Sequence, residues 1–580
     1  MKLNRILSIA AAGAFLVSVT SCADDFLDEK MYSSYGANVS DTNAKVLGLY
    51  YKVGGILGYS DQQGYAGIWQ DGTDVGAPGD IQGVETPFYQ YANLNSENAG
   101  VKFLWNSLYS IINAANIIIN EEGVAEKYRA EACFFRAWAY EQLVTGWGRV
   151  PLLTESIATP STDFTRTDIS AINAVIESDI EYAIANLPEI TEYDNSKDKA
   201  IKSRLNKDAA RLWAAQVYLR IGYQNNSNDY YNKAVNAVTP TITSGNYTLI
   251  NKRYGSFLGD AGDFYSDMFR YGNQRRYQNN TENIWVFEME YGVNVPNGTI
   301  GAPQQRRNWV AAFHKLSGQM VNADSIGGRG NGRLRLSNYV KYGIFEDGDI
   351  RNSNFNIRRK LFCNDAKLQD KPITVYVDAK GFKVSEGTAG ATARTLHYGD
   401  PAVWAESDTL NVMYPHTTKW GGYDPTDDFG WALVKDFPMM RFAEAYLLRA
   451  EAYVRLGNTS AAAADINALR DRAFKESREY TGNNSLGAVS ASQMTIDFIL
   501  DERIRELVGE ENRRFTLMRT GELTNRVNMM VTKWAEGTDS KKISGYNPNV
   551  HTLLPIPLTE IQLNKDADLE QNPGYEVAKE

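Results

Sequence analysis

The stretch RFAEAYLLRAEAYVRLGNTSAAAADINALRDRAF (441–474) constrains the fold more than any other part of the chain. Ala443, Leu447, Ala450 and Val454 recur at helical spacing, Gly457 supplies a stop, and Thr459 or Ser460 can cap a second helix continued by Ala464, Asn467 and Ala473. Small residues stand where the two helices must touch, so the pair is built for close packing. Helical patterns recur upstream. KYRAEACFFRAWAYEQLVTGWG (127–148) sets Ala130, Phe134, Ala137, Trp138 and Leu143 on one periodic stripe, with Gly146 near its end. KDAARLWAAQVYLRIGY (207–223) and YYNKAVNAVTP (230–240) read as two helices around a polar turn.

A helix–turn–helix of 34 residues with small contact positions resembles a tetratricopeptide repeat. The units are scattered rather than consecutive, which predicts a mostly α scaffold with large insertions. Two segments, 54–100 and 286–435, fit the role of insertions. They hold more than half of the 47 glycines in about a third of the chain, with NG, DG and GG punctuation. Loops with short strands are expected there, IWVFEMEY (284–291) being the clearest strand. Long structured loops on a helical scaffold are where binding functions usually sit.

The N-terminus carries a processing signal. Lys2 and Arg5 precede an apolar run from Ile6 to Val19, too short to span a bilayer but matched to a secretory signal. Val19-Thr20-Ser21 then lead to Cys22, an ending that resembles the lipobox of bacterial lipoproteins. The expectation is a signal peptide over 1–21, acylation of Cys22, and a mature chain of 22–580. The formal net charge of −10 becomes −12 once Lys2 and Arg5 leave, and no basic tract suits nucleic acid. Cys133 and Cys363 then remain; they could pair, although Cys133 lies in a helical run where a small buried residue is expected.

Catalytic constellations are sparse. The four histidines, His314, His397, His416 and His551, are isolated, and no nucleophile elbow, phosphate-binding loop or zinc motif appears. Glu502 and Glu506 lie i, i+4 within DERIREL, but glycosidase carboxylates flank a substrate across a cleft. Pairs such as Asp501 with Arg505, Glu502 with Arg505, and Glu510 with Arg514 are spaced for ion pairing, which would keep both glutamates ionised. A structural helix is the expectation.

Eight stretches in order along the chain carry a further resemblance: Cys22-x3-Phe26-Leu27-Asp28, LWNSLYSIINAANIII (104–119), AEACFFRAWAYEQLVTGWGRVPLL (130–153), NIWVFEMEYG (283–292), GDIR (348–351), MRFAEAYLLRAEAYVRLG (440–457), ILDERIRELVGEENRRF (499–515) and LLPIPLTEIQLNKDADLEQNPGY (553–575). The chain resembles the SusD/RagB family of outer-membrane nutrient-binding lipoproteins. Arg149 and Thr516 depart from its usual pattern at positions where acids are common. The resemblance implies a single SusD-like unit from 22 to 580, with an N-terminal part to about 240 and a C-terminal part from about 280. It also implies a cell-surface, non-catalytic protein that captures oligosaccharides for a SusC-like, TonB-dependent barrel. A peptide or glycoprotein binder on the same scaffold is the alternative, and a glycoside hydrolase the rival of another class. Asp24 and Asp25 are similar to the family's surface-export signal. No cofactor is implied. EDGD (346–349) could hold Ca²⁺, but GDIR is better explained as a structural motif, so a calcium site has no assigned residues.

Sugars offer C–H faces that stack on aromatic rings and hydroxyls that need polar partners, so a glycan site needs both side by side. GIWQDGTDVGAPGD (67–80), TPFYQYANLNSEN (86–98) and QQRRNWVAAFH (304–314) mix them. By the resemblance, Asp74, Tyr89, Tyr91, Asn93 and Trp309, with Trp69, are the expected ligand contacts. Trp105, Trp138, Trp147 and Trp285 are expected in the core.

Overall fold

A helix buried on one side needs an apolar stripe, and one buried all round needs partners for every charge it carries. Glu126–Trp147 is of the second kind: every side chain from Ala130 to Trp147 is buried. Its buried charges are met by neighbouring elements. Glu131 takes Arg204 at 2.8 Å, Arg136 takes Asp179 at 2.7 Å, and Glu141 takes Arg220 at 2.6 Å. The helix stops at Gly148, whose φ of 73° needs a residue without a side chain; Gly146 instead sits against the Phe515 ring, where a Cβ would lie 3.0 Å away.

The structure is a computed structural model that describes residues 41–57, 65–79, 86–157, 159–198, 201–289, 305–410, 412–422, 435–535 and 542–575. The expected signal peptide and Cys22 lie outside the described residues. The scaffold runs through α1 (Thr42–Leu57), α2 (Ala99–Ile119), α3 (Glu126–Trp147), α4 (Ile169–Asn186), α5 (Lys207–Asn225), α6 (Asn228–Thr243), α7 (Phe442–Arg455) and α8 (Thr459–Ala473), each packed on its successor. Helix α9 (Ile496–Leu507) returns onto α7, and α10 (Arg513–Thr520) packs on α3 and α5. This stacking is the tetratricopeptide-like plan expected from 441–474. The cap differs: Asn458, with its side chain accepting from the Ala461 N–H, begins α8 rather than Thr459 or Ser460. Trp105, Trp138, Trp147 and Trp285 are all in the core.

The insertions form small sheets. Strand β1 (Gly76–Pro78) pairs antiparallel with β3 (Leu334–Leu336), joining the two glycine-rich segments. Strand β2 (Asn283–Phe287) pairs with β9 (Phe437–Arg441), so the strand expected at 284–291 ends at Phe287. Strand β4 (Ile357–Arg358) pairs with β8 (His416–Thr417), and β5 (Ile373–Val377) lies between β6 (Lys383–Val384) and β7 (Thr392–Leu396). A second, smaller core around Val310, Phe313, Leu361 and Leu396 supports them. Cys363 belongs to it; Cys133 and Cys363 are both free and buried.

Candidate functional site

The expected ligand residues are mostly interior. Asp74 is fully buried and accepts two hydrogen bonds from Arg513, at 2.8 and 2.7 Å. Tyr89, Tyr91 and Trp309 are each 0% exposed, and Trp69 is 4% exposed. The Tyr91 hydroxyl donates to the Gly72 carbonyl at 3.0 Å and accepts from Arg514 at 2.7 Å, while its ring meets Tyr546 edge-on at 4.9 Å. Arg514 also donates to the carbonyls of Ile68, Asp71 and Phe88. The arginine pair that opens α10 thus draws Trp69, Asp74, Tyr89 and Tyr91 inward. A ring enclosed by protein offers no face to a sugar, so these residues and Trp309 build no surface platform here. Trp69 borders a narrow cavity of about 110 Å³, which is below the size of ordinary ligand sites. Asn93 alone of the six is exposed, its amide donating to the Gln90 side chain at 3.1 Å.

The carboxylates of α9 are structural. Glu502 accepts from Arg351, Arg470 and Arg505, and Glu506 from Arg351, Arg441 and Arg472. Arg441 and Arg472 share Glu282, and Arg441 also holds Glu510. These surrounding guanidiniums overcome burial and push Glu502 down to about 2, with Glu506 held well below the usual carboxylate range. Neither can serve as a general acid near neutral pH. GDIR is part of the same network: Arg351 folds back on Asp349 at 2.7 Å and reaches both glutamates. Of the three ion pairs expected around this helix, only Glu502 with Arg505 forms. Asp501 pairs with Arg526 at 2.6 Å, and Arg514 is committed to the loop carbonyls. In EDGD, Glu346 meets Arg470 and Asp349 meets Arg351, so two of its three carboxylates already face cations. Among the described residues, no cluster of three or more His, Cys, Asp or Glu side chains could hold a metal ion. Of the two departures, Thr516 donates to Glu511 at 3.1 Å, and Arg149 stays at the surface 3.6 Å from Asp168.

A surface cleft of about 1140 Å³ opens instead in the second insertion. Tyr342, Phe382 and Trp404 line it, together with Tyr414, Arg358, Arg359 and Glu406. Tyr342 ends the short helix Asn338–Tyr342 and is 67% exposed. Phe382 and Trp404 are half-buried, and the Lys383 N–H donates to the Trp404 carbonyl at 2.8 Å, tying the Trp404 loop to β6. The Trp404 indole N–H faces no acceptor. Arg335 on β3, Lys341 and Lys542 add further cations to the lining. The chain near Lys542 is tied to the first insertion, because the Tyr91 N–H donates to the Ser544 carbonyl at 2.9 Å. Half-exposed rings beside hydrogen-bonding groups, on loops fixed by short strands, match what a sugar needs. The sequence flagged 286–435 as binding loops, but Tyr342, Phe382 and Trp404 were not singled out within it.

The chain belongs to the SusD family: the model described as SusD family matches residues 201–575. A second model, described as starch-binding associating with outer membrane, matches residues 25–219. A SusD-like protein of Formosa agariphila is 24% identical over 99% of this chain and 100% of its own length. The starch-binding protein SusD of Bacteroides thetaiotaomicron is 34% identical over 24% of this chain and 22% of its own. Among solved structures, a SusD homolog from Bacteroides thetaiotaomicron superposes with a TM-score of 0.63 at 19% identity, covering 95% of this chain and 100% of that one. A laminarin-binding SusD-like protein gives 0.61 at 19% identity, over 92% of this chain and 99% of the other. No described helix is long and apolar enough to cross a membrane.

Proposed function

We propose that the protein captures oligosaccharides at the cleft framed by Tyr342, Phe382 and Trp404, and passes them to a SusC-like, TonB-dependent outer-membrane barrel without cleaving them. The observation that carries this reading is the cleft: three accessible rings, one from a helix end and two from separate loops, line one cavity large enough for several sugar units. The commitment of Glu502 and Glu506 to buried arginines supports the non-catalytic part. Relatives whose names record starch or laminarin binding support the ligand class.

In this reading the chain from Cys22 onward is one unit, held to the outer leaflet by acylation of Cys22 and facing the cell exterior. Asn93 is the one earlier candidate still placed to meet solvent or ligand. Calorimetry with starch- and laminarin-derived oligosaccharides tests the site. Binding that weakens in Tyr342→Ala and Trp404→Ala supports it, and binding indifferent to both variants moves the ligand elsewhere.

A further inference from the structure

The cleft wall carries a charge that no carboxylate among the described residues answers. Arg358 on β4 lies opposite His416 in the strand pair, which fixes where its side chain leaves the backbone. Its Nη2 donates to the Ser325 carbonyl at 3.2 Å, while its Nε is buried and meets no acceptor. Among the described residues no carboxylate pairs with it. The neighbouring charge it feels is a second cation, Arg270, and with burial this pulls the Arg358 guanidinium down to about 10. A desolvated guanidinium beside another cation is unfavourable unless an anion arrives to complete the pair.

Arg359 repeats the pattern. Its Nε and Nη2 both donate to the neutral Asn352 amide oxygen, at 3.2 and 2.6 Å, and burial lowers it as well. Glu406, the carboxylate on the described lining, is engaged 3.6 Å away by Lys380 at the exposed rim. Arg358 also borders a second cleft of about 530 Å³, so the unanswered charge stands where two cavities meet. This is a local feature in a chain of net charge −10.

On the reading that this cleft takes a glycan, we infer that the glycan is anionic, with Arg358 and Arg359 gripping a carboxylate or sulfate while Tyr342 stacks on the adjoining ring. The planar guanidinium fork suits both groups, since each presents two oxygens to two N–H donors. A neutral sugar could accept hydrogen bonds from the guanidinium but would leave its buried positive charge uncompensated.

Calorimetry on the detergent-solubilised full chain tests this with oligogalacturonate for carboxylate, sulfated carrageenan oligosaccharides for sulfate, and maltoheptaose and laminarin oligosaccharides as neutral probes. At least one acidic probe should bind tenfold or more tighter than both neutral ones. Arg358→Gln should weaken that binding at least tenfold while leaving the melting temperature unchanged or higher. Arg359→Gln, at a half-buried position where the side chain donates to Asn352, should weaken it in the same direction and guards against a folding defect at Arg358. Neutral probes that bind as well as acidic ones, weakened by Tyr342→Ala but not by either arginine variant, overturn the anionic inference and leave glycan capture standing. Probes whose binding ignores Tyr342 and Trp404 overturn glycan capture at this cleft, and the inference with it.

Discussion

Arg513 grips Asp74 with two hydrogen bonds across 439 residues of sequence, and neither side chain reaches solvent. The pair joins the first glycine-rich insertion to α10 near the far end of the chain. Arg526 adds a third contact at 3.5 Å. Removing one partner of such a pair strands a buried charge, which costs about 3–5 kcal/mol. Asp74→Ala should therefore lower stability by about that much in chemical denaturation. Oligosaccharide affinity of the folded fraction should stay unchanged, because Asp74 contacts no solvent-facing surface.

Trp309 and Tyr91 extend the same logic. Trp309→Ala empties a fully enclosed indole volume and should destabilise by about 3–5 kcal/mol. Tyr91→Phe keeps the ring but deprives Arg514 of one acceptor and Gly72 of a donor, a loss of about 1–3 kcal/mol. Thermal melts beside calorimetric titrations distinguish these effects from loss of a binding ring: stability should fall and affinity should not.

The helical scaffold was legible because its signals are local: alanine-rich stripes, Gly457 and the repeat spacing announce α7 and α8 before any tertiary contact is known. The binding surface was not, for a reason visible at Tyr91. An aromatic among Asn, Gln and Gly residues reads the same whether its loop lies open or is pulled inward. What pulls it inward is Arg514, 423 positions away. The opposite error hid Tyr342 and Trp404, whose convergence depends on the pairing of β4 with β8 and β5 with β6. Arg358 and Arg359 carried a fainter mark, two adjacent arginines in a segment short of acids.

Acid should act through His416 before it reaches the carboxylates. Burial and the neighbouring Arg358 push His416 from 6.5 down to about 3. The unfolded chain then takes up a proton below pH 6.5 that the folded chain refuses. Its stabilising contribution is complete above pH 6.5 and is lost as pH falls toward 3. Between pH 6.5 and 4.5 this amounts to about 2–3 kcal/mol. His314 and His551 are also shifted down and act in the same direction. His416→Asn should flatten the stability profile over that interval by the stated amount. Urea titrations at a series of pH values check it, and parallel profiles for the two proteins would refute it.

The proposed acylation of Cys22 makes a separate prediction. Only a thiol accepts the diacylglycerol, so Cys22→Ser should abolish fatty-acid labelling and leave the protein as an unlipidated precursor or a released form. Metabolic incorporation of a clickable fatty acid reads this directly, and equal labelling of both proteins rules it out.

Tyr342 offers the sharpest separation of binding from folding. Its ring is 67% exposed and tops a five-residue helix, so truncation removes little buried surface. Stability should change by less than about 0.5 kcal/mol, as for surface substitutions generally. A sugar stacked on that ring would lose an anchor worth about 1–3 kcal/mol, weakening affinity by roughly 5- to 150-fold. Trp404→Ala should cost as much affinity and more stability, because that indole is half-buried and its loop is tied to β6. The two variants therefore predict a pattern rather than a single number: affinity falls in both, and the melting temperature falls only in Trp404→Ala. A melting temperature that drops equally in both would mean Tyr342 supports the fold. Affinity that holds in both would place the sugar on another face of the protein.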